Sequence, residues 1–249
     1  MSDRWHTEVL RSEFERASTT FAERTRGRFD ALGVVEFSKC GEGDVVMEVG
    51  AGTGNFLQLF EPVAGRLIGV DLTPAMLLQA HGVFTGMELI VADGARLPVA
   101  SRSVDLVTTA QTLHHIWEPL VVLKEMRRVM AADGKMLIVD QVSTERYEEA
   151  IVMNQLETVR DPSHASSRPP SALRTLLRVA GVRIVEERIV EEKQRLSTWM
   201  WSEEFPEERI EKVRRFIDDH GGATGMNFER DGDDYVFDRR RMMLLAQRA

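Results

Sequence analysis

The run Val45-Val46-Met47-Glu48-Val49-Gly50-Ala51-Gly52-Thr53-Gly54-Asn55-Phe56 constrains the chain more than any other stretch. Apolar residues lead into three glycines at alternate positions, and Phe56, Leu57, Leu59 and Phe60 continue at helical spacing. That is the pattern of a buried parallel strand that ends in a ligand-binding loop and passes into a helix. Glycines let the backbone turn sharply and let a ligand approach closely, and the expected helix N-terminus favours an anionic group. Spacing argues against a dinucleotide loop, because the third glycine of G-x-G-x-x-G would fall where the chain has Asn55.

The chain has 249 residues, enough for one α/β domain with added helical segments. Its formal charge of −8 disfavours a nucleic acid or an anionic membrane as partner. The compact basic run Arg239-Arg240-Arg241 follows Asp231, Asp233, Asp234 and Asp238, and it reads as a charge-balanced surface segment. One cysteine, Cys40, excludes an intramolecular disulfide and suits a reducing cytoplasm. The start Met1-Ser2-Asp3-Arg4-Trp5-His6 is too charged for a signal peptide, and no apolar run is long enough to span a bilayer. A cytoplasmic protein without stable membrane insertion is expected.

Residues 5–37 read as mostly helical, with interruptions at Gly27 and Gly33 and an apolar face of Leu10, Phe14, Ala17 and Phe21. This arm is expected to pack against the sheet or over the ligand site. Strands are then predicted at 45–49, 66–71, 87–93, 104–110 and 135–140. The intervening helices are a segment opened by Thr73-Pro74, with Thr73 as cap, and an amphipathic stretch from Leu120 to Met130. Asp133-Gly134 is expected to turn into the fifth strand. Such alternation implies a parallel sheet with right-handed crossovers. Later come helices at 145–159, 171–180 and 207–220, a half-exposed strand at 182–195 and a last strand at 242–246.

Four ordered pieces carry a resemblance. Glu48 to Gly54 resembles motif I of the class I S-adenosylmethionine (SAM) methyltransferases, and Asp71 ends the second strand 21 positions after Gly50. Ala92-Asp93-Gly94-Ala95-Arg96-Leu97-Pro98 resembles the A-D-A-x-x-L-P segment of that family. Ser103-Val104-Asp105-Leu106-Val107 with Leu113-His114-His115, and then Glu125 to Leu137, resemble the ubiquinone/menaquinone C-methyltransferase-like group, or type-11 domains. The resemblance covers roughly residues 40–141. It implies a Rossmann-like class I methyltransferase fold of seven strands, mostly parallel with the last antiparallel, helices on both faces and helical cap insertions. A single domain spanning 1–249 would comprise an N-terminal arm (1–40), a SAM-binding core (41–141) and acceptor-side caps (about 142–170 and 196–235).

The resemblance also assigns residues. Glu48, Gly50, Ala51, Gly52, Gly54 and Asn55 would form the loop around SAM or its product S-adenosylhomocysteine. Asp71 would hold both ribose hydroxyls by a charge-assisted pair of hydrogen bonds, with Leu72 and Met76 beside it. Ala92, Asp93, Gly94 and Ala95 would hold adenine, and Gln111 and Leu113 the methionine end. Methyl transfer needs a base only where the acceptor must lose a proton, and His114, His115 and His164 are the candidates. His114 and His115, read as an extended segment, would point opposite ways. His164 belongs to Arg160-Asp161-Pro162-Ser163-His164, which also reads as a turn and helix cap. Trp199, Trp201, Trp5 and Phe14 are candidates to wall an apolar or aromatic small-molecule acceptor. No metal is expected, since Thr109-Ala110-Gln111 lacks an oxygen cluster and a zinc site lacks cysteines. Two alternatives stand beside a methyltransferase: a non-catalytic SAM or S-adenosylhomocysteine binder, and a nicotinamide-dependent oxidoreductase.

Overall fold

The computed structural model describes residues 2–249. An arm of one long helix, α1 (Ser2–Arg24), a 3-10 turn (Asp30–Leu32) and a short α2 (Val34–Ser38) precedes the sheet. Strand β1 (Val45–Val49) leads through the glycine loop to β2 (Arg66–Asp71), α3 (Pro74–Val83), β3 (Met87–Val91), β4 (Val104–Ala110), α4 (Pro119–Val129) and β5 (Met130–Gln141). There follow α5 (Tyr147–Arg160), α6 (Pro170–Ala180), β6 (Val182–Arg195), α7 (Leu196–Trp199), α8 (Glu207–His220), β7 (Glu229–Asp231) and β8 (Asp234–Arg248).

The strand order is β3-β2-β1-β4-β5-β8-β6, with β7 a short hairpin partner of β8. Strands β1 to β5 run parallel, and β8 runs antiparallel between β5 and β6. The central strands are apolar on both faces because both faces are covered. One face packs Met47, Val107 and Ile138 against α4 and α6. The other packs Val46, Leu106 and Leu137 against Phe29, Phe37, Phe56 and Phe60.

The expected helix after the glycine loop is only a 3-10 turn, Leu57–Phe60. The loop holds a positive φ through Gly54, and Pro62 has no N–H to continue a helical ladder. The helix dipole at this loop is therefore that of a single turn. The turn expected at Asp133-Gly134 is instead an irregularity within β5, where the pairing slips between Val104–Met130 and Leu106–Lys135. Gly134 permits it, because a Cβ there would lie 3.0 Å from the Asp105 carbonyl oxygen.

Strand β8 begins well before the expected Met242. Its pairing with β5 stops at Gln141–Arg241, and its first half pairs with β6 and β7 beyond the carboxyl edge of the parallel strands. On that overhang a third apolar cluster joins Met153 and Leu156 of α5, Trp199, Phe205, Val213 and Ile217 to Tyr235 and Phe237. Segments 142–170 and 196–235 thus share one core of their own. No helix among the described residues is long and apolar enough to cross a membrane.

Candidate active site

The carboxyl ends of β1, β2 and β4 open into a cavity of about 380 Å³. Gly50 and Gly52 on its floor have φ of +78° and +52°, a region that side chains disfavour. At Gly50 a Cβ would also fall 2.4 Å from the Thr112 side chain. Glu48, 1% exposed, lies among these glycines. Its carboxylate accepts the Leu57 N–H, while Oε2 has no partner. Burial, then the charge of Asp71, pushes this carboxyl well above the usual range.

Asp71 accepts the Gly52 N–H through Oδ2 and the Thr73 N–H through Oδ1, both at 2.8 Å. Burial raises its pKa against the opposing pull of these amides. Thr73 occupies the N-cap position of α3 but makes no side-chain cap; its buried Oγ1 is unpartnered on the cavity wall. Ala51, Leu72, Met76, Ala92, Gly94 and Ala95 also line the cavity. At Gly94 a Cβ would meet Val49 Cγ1 at 2.8 Å, which accounts for glycine where the resembled family has alanine. Asp93 sits exposed at the rim and holds the Ala95 N–H at 2.8 Å.

Three assigned residues take other places. Gly54 is not on the wall, and a Cβ there would meet Phe84 at 3.0 Å and Met87 at 3.2 Å. Asn55 lines the cavity, but its Nδ2 donates to the Ala22 carbonyl (2.8 Å) and to Thr25 Oγ1 (2.7 Å). It therefore ties the loop to the end of α1. Leu113 is absent from the wall, because its side chain is buried in the main core.

Helix α1 lies across the opening and contributes His6, Leu10, Phe14 and Phe21 to the wall. Besides Asn55, polar contacts along its length hold it: His6 Nε2 donates to the His115 carbonyl at 2.8 Å, Arg11 to the Leu72 carbonyl at 3.3 Å and Arg16 to the Glu204 carbonyl at 2.6 Å, while Arg24 pairs with Glu204 and Glu13 with Arg209. Trp5, 65% exposed, is not part of the wall, and neither is Trp201.

The histidine pair sits on a 3-10 turn, Leu113–His115, instead of an extended segment, so the two rings lie side by side, 4.1 Å apart. His115 lines the cavity. The Ser163 hydroxyl donates to Asp161 Oδ1, which leaves Ser163 O (3.0 Å) and Oγ (3.1 Å) as acceptors for His115 Nδ1–H. The neutral ring therefore carries its proton on Nδ1 and its lone pair on Nε2, the tautomer a base requires. His114 Nδ1 donates to Asp140 Oδ1 at 2.6 Å. Burial, then the neighbouring His115 and His164, holds the pKa of His114 well below the usual value. Burial raises that of Asp140 to about 6. His164 lines neither cavity; it lies behind His114, with its ring 5.8 Å away and Nε2 bonded to Asn154 Oδ1 at 2.8 Å.

A second, inner chamber of about 60 Å³ shares Phe14, Phe21, Arg28, Gln111 and His115 with the first and adds His114, Arg160, Trp199 and Arg239. Here the basic run departs from expectation. Arg239 and Arg241 are 6% and 3% exposed, not solvated. On β8 they share the parity of Tyr235 and Phe237, so strand alternation turns them inward, while Arg240 pairs with Glu191 on the other face. Arg28, Arg239 and Asp140 were missed as site residues. Extending the last strand back to Tyr235 would have exposed the parity of Arg239. Nothing local marks Arg28 or Asp140. Among the described residues no group of three or more His, Cys, Asp or Glu side chains could hold a metal ion.

The sheet order and the glycine loop at its carboxyl edge are those of the class I SAM-dependent methyltransferase fold. Residues 47–138 match the type-11 family described as a methyltransferase domain. A Bacillus halodurans C-125 protein described as a methyltransferase superposes with a TM-score of 0.80 at 20% identity, covering 87% of this chain and 97% of that one. The uncharacterized methyltransferase YcgJ of Bacillus subtilis is 29% identical over 160 residues, 61% of each chain. The demethylmenaquinone methyltransferase of Renibacterium salmoninarum is 30% identical over 111 residues, 45% of this chain and 44% of its own length. The match thus spans about three fifths of the first relative and under half of the second.

Proposed function

We propose that this protein transfers a methyl group from SAM to a small-molecule acceptor. One observation carries the reading: a single cavity brings Glu48, with its unpartnered oxygen, and the backbone-anchored Asp71 carboxylate together with two positive-φ glycines, Gly50 and Gly52. These residues fit the cofactor, since the Asp71 carboxylate on the cavity wall suits the ribose hydroxyls and Glu48 offers an orphaned oxygen. When bound, SAM supplies a methyl group activated by its sulfonium charge.

The protein's own residues position and exclude. Asp93 at the rim is assigned the adenine amine, and Arg28, on the wall common to both cavities, the carboxylate of the methionine tail. Phe14 and Phe21 give the acceptor side an apolar, aromatic wall, and α1 shields it from water. The Nε2 lone pair of His115 takes the proton of an acceptor that must lose one, with Ser163 fixing the ring. Similarity to the quinone C-methyltransferase group lies in the cofactor half, so it supports the cofactor more than the acceptor.

The test is calorimetric titration of wild type and Asp71→Ala with SAM, S-adenosylhomocysteine and NAD. We expect the first two to bind wild type, the substitution to cost about 1.5–3 kcal/mol, and NAD to give no heat. NAD binding without a SAM response would overturn the reading in favour of an oxidoreductase. Turnover against a panel of acceptors separates an enzyme from a protein that only binds the cofactor.

A further inference from the structure

Five arginines reach the inner chamber: Arg16, Arg24, Arg28, Arg160 and Arg239. Arg16 pairs with Glu13, which it shares with Arg209. Arg24 pairs with Glu204, and Arg160 with Glu157 and Asp161. That leaves Arg28 and Arg239 without a carboxylate within ion-pair distance among the described residues. Each bonds a neutral amide instead, Arg28 to Gln111 Oε1 (3.1 Å) and Arg239 to Gln141 Oε1 (2.6 Å). Burial lowers the pKa of Arg239 to about 9; Glu157 opposes this, and Arg241, Arg160 and Arg24 add to it.

Two neutral groups on the wall have the same bias. Trp199 is buried there, and its Nε1–H has no partner. Gln111 spends its oxygen on Arg28, and its buried Nε2 is unpartnered. Gln111 is also held at a φ of +51°, a conformation a glutamine adopts only where its surroundings fix it. The two cations without a carboxylate and the two unpartnered N–H donors all belong to residues that line one small space. A buried donor or charge left in this condition is costly until an acceptor arrives.

On the reading that the outer cavity holds SAM, we propose that the methyl acceptor carries a carboxylate, and that this group seats in the inner chamber against Arg239, Trp199 Nε1–H and Gln111 Nε2–H. A carboxylate accepts about four hydrogen bonds in a plane, and the fork of an arginine matches two of them. The chamber is small enough to take the head group alone. The apolar body of the acceptor then extends past His115 toward Phe14 and Phe21, which line both cavities. Arg28 faces both cavities and serves the cofactor, whereas Arg239 and Trp199 face only the inner one.

The test uses the full-length protein saturated with S-adenosylhomocysteine and follows the indole N–H resonances by NMR, with Trp199→Phe identifying that of Trp199. Acetate and formate are the probes, and acetamide is the neutral control. We expect a saturable shift of the Trp199 resonance with the carboxylates and none with acetamide. Arg239→Gln should weaken it at least about tenfold, as for loss of a charge-assisted bond, while S-adenosylhomocysteine affinity stays unchanged. Arg239→Lys, which keeps the charge, should weaken it less. Equal response to acetamide, or an unchanged shift in Arg239→Gln, would overturn the proposal. Inorganic phosphate binding in place of acetate would overturn the carboxylate assignment. Loss of S-adenosylhomocysteine binding in Arg239→Gln would return the arginine to the cofactor site. Failure of wild type to bind S-adenosylhomocysteine would strike the methyltransferase reading instead.

Discussion

His164 shows how a buried ring couples pH to stability. Burial, with His115 and Arg160, outweighs Glu157 and Asp161 and lowers its pKa from 6.5 to about 4. The unfolded chain takes up this proton as pH falls through 6.5, and the folded chain does so only near 4. The folded state therefore loses stability across that window, by on the order of 2–3 kcal/mol. His164→Gln keeps a donor for Asn154 and cannot titrate. Its stability relative to wild type should rise by about this amount between about pH 7.5 and about pH 4.5, as read from denaturant unfolding at each pH. Parallel behaviour of the two proteins would show that His164 is protonated in the folded state. At His115 the prediction concerns rate: His115→Gln should lower kcat by roughly 10²–10⁴-fold for an acceptor that loses a proton, with S-adenosylhomocysteine affinity intact. An unchanged kcat on such an acceptor would remove its role as base.

At the scale of elements, helix α1 is held over the cavity by polar contacts along its length, and Asn55 makes two of them. Asn55→Ala leaves Thr25 Oγ1 and the Ala22 carbonyl without that donor, at a cost of about 1–3 kcal/mol. Hydrogen exchange should quicken across residues 2–24 while β1, β4 and β5 keep their protection. Uniform acceleration through the sheet would mean that the arm and core unfold together. Asn55 also shows what the sequence conveys. Its position argued against a dinucleotide loop, but its bond to a helix over 30 positions earlier has no local signature. Strands 104–110 and 182–195 and helix 207–220 were legible to the residue, because periodicity and bounding turns agree there. The helix after Gly54 was misread, since four apolar residues at helical spacing outweighed Pro62. The start of β8 was missed because charged residues interrupt its alternation where the strand leaves β5, and Arg239 was misplaced with it.

For the whole molecule, the two cavities lie where three packed units meet: the arm, the sheet and the cluster built on the overhang of β6 and β8. The outer cavity takes its wall from α1 and the sheet, and the inner chamber adds α5, α7 and β8. A ligand of the outer cavity thus touches residues far apart in sequence, from His6 to Val122. Because the unfolded chain has no such site, binding adds directly to global stability. At a concentration of S-adenosylhomocysteine 100 times its Kd, the gain is about 2.7 kcal/mol, which for a chain of this size raises Tm by roughly 5–11 °C. We expect that rise in a thermal melt, none with NAD, and less in Asp71→Ala at the same ligand concentration. A carboxylate that fills the inner chamber should raise Tm further when the cofactor product is present, since its contacts join α7 and β8 to Gln111 at the end of β4. A second increment that Arg239→Gln abolishes, with the first left intact, would separate the two cavities thermodynamically. Loss of both increments together would mean that they act as one site.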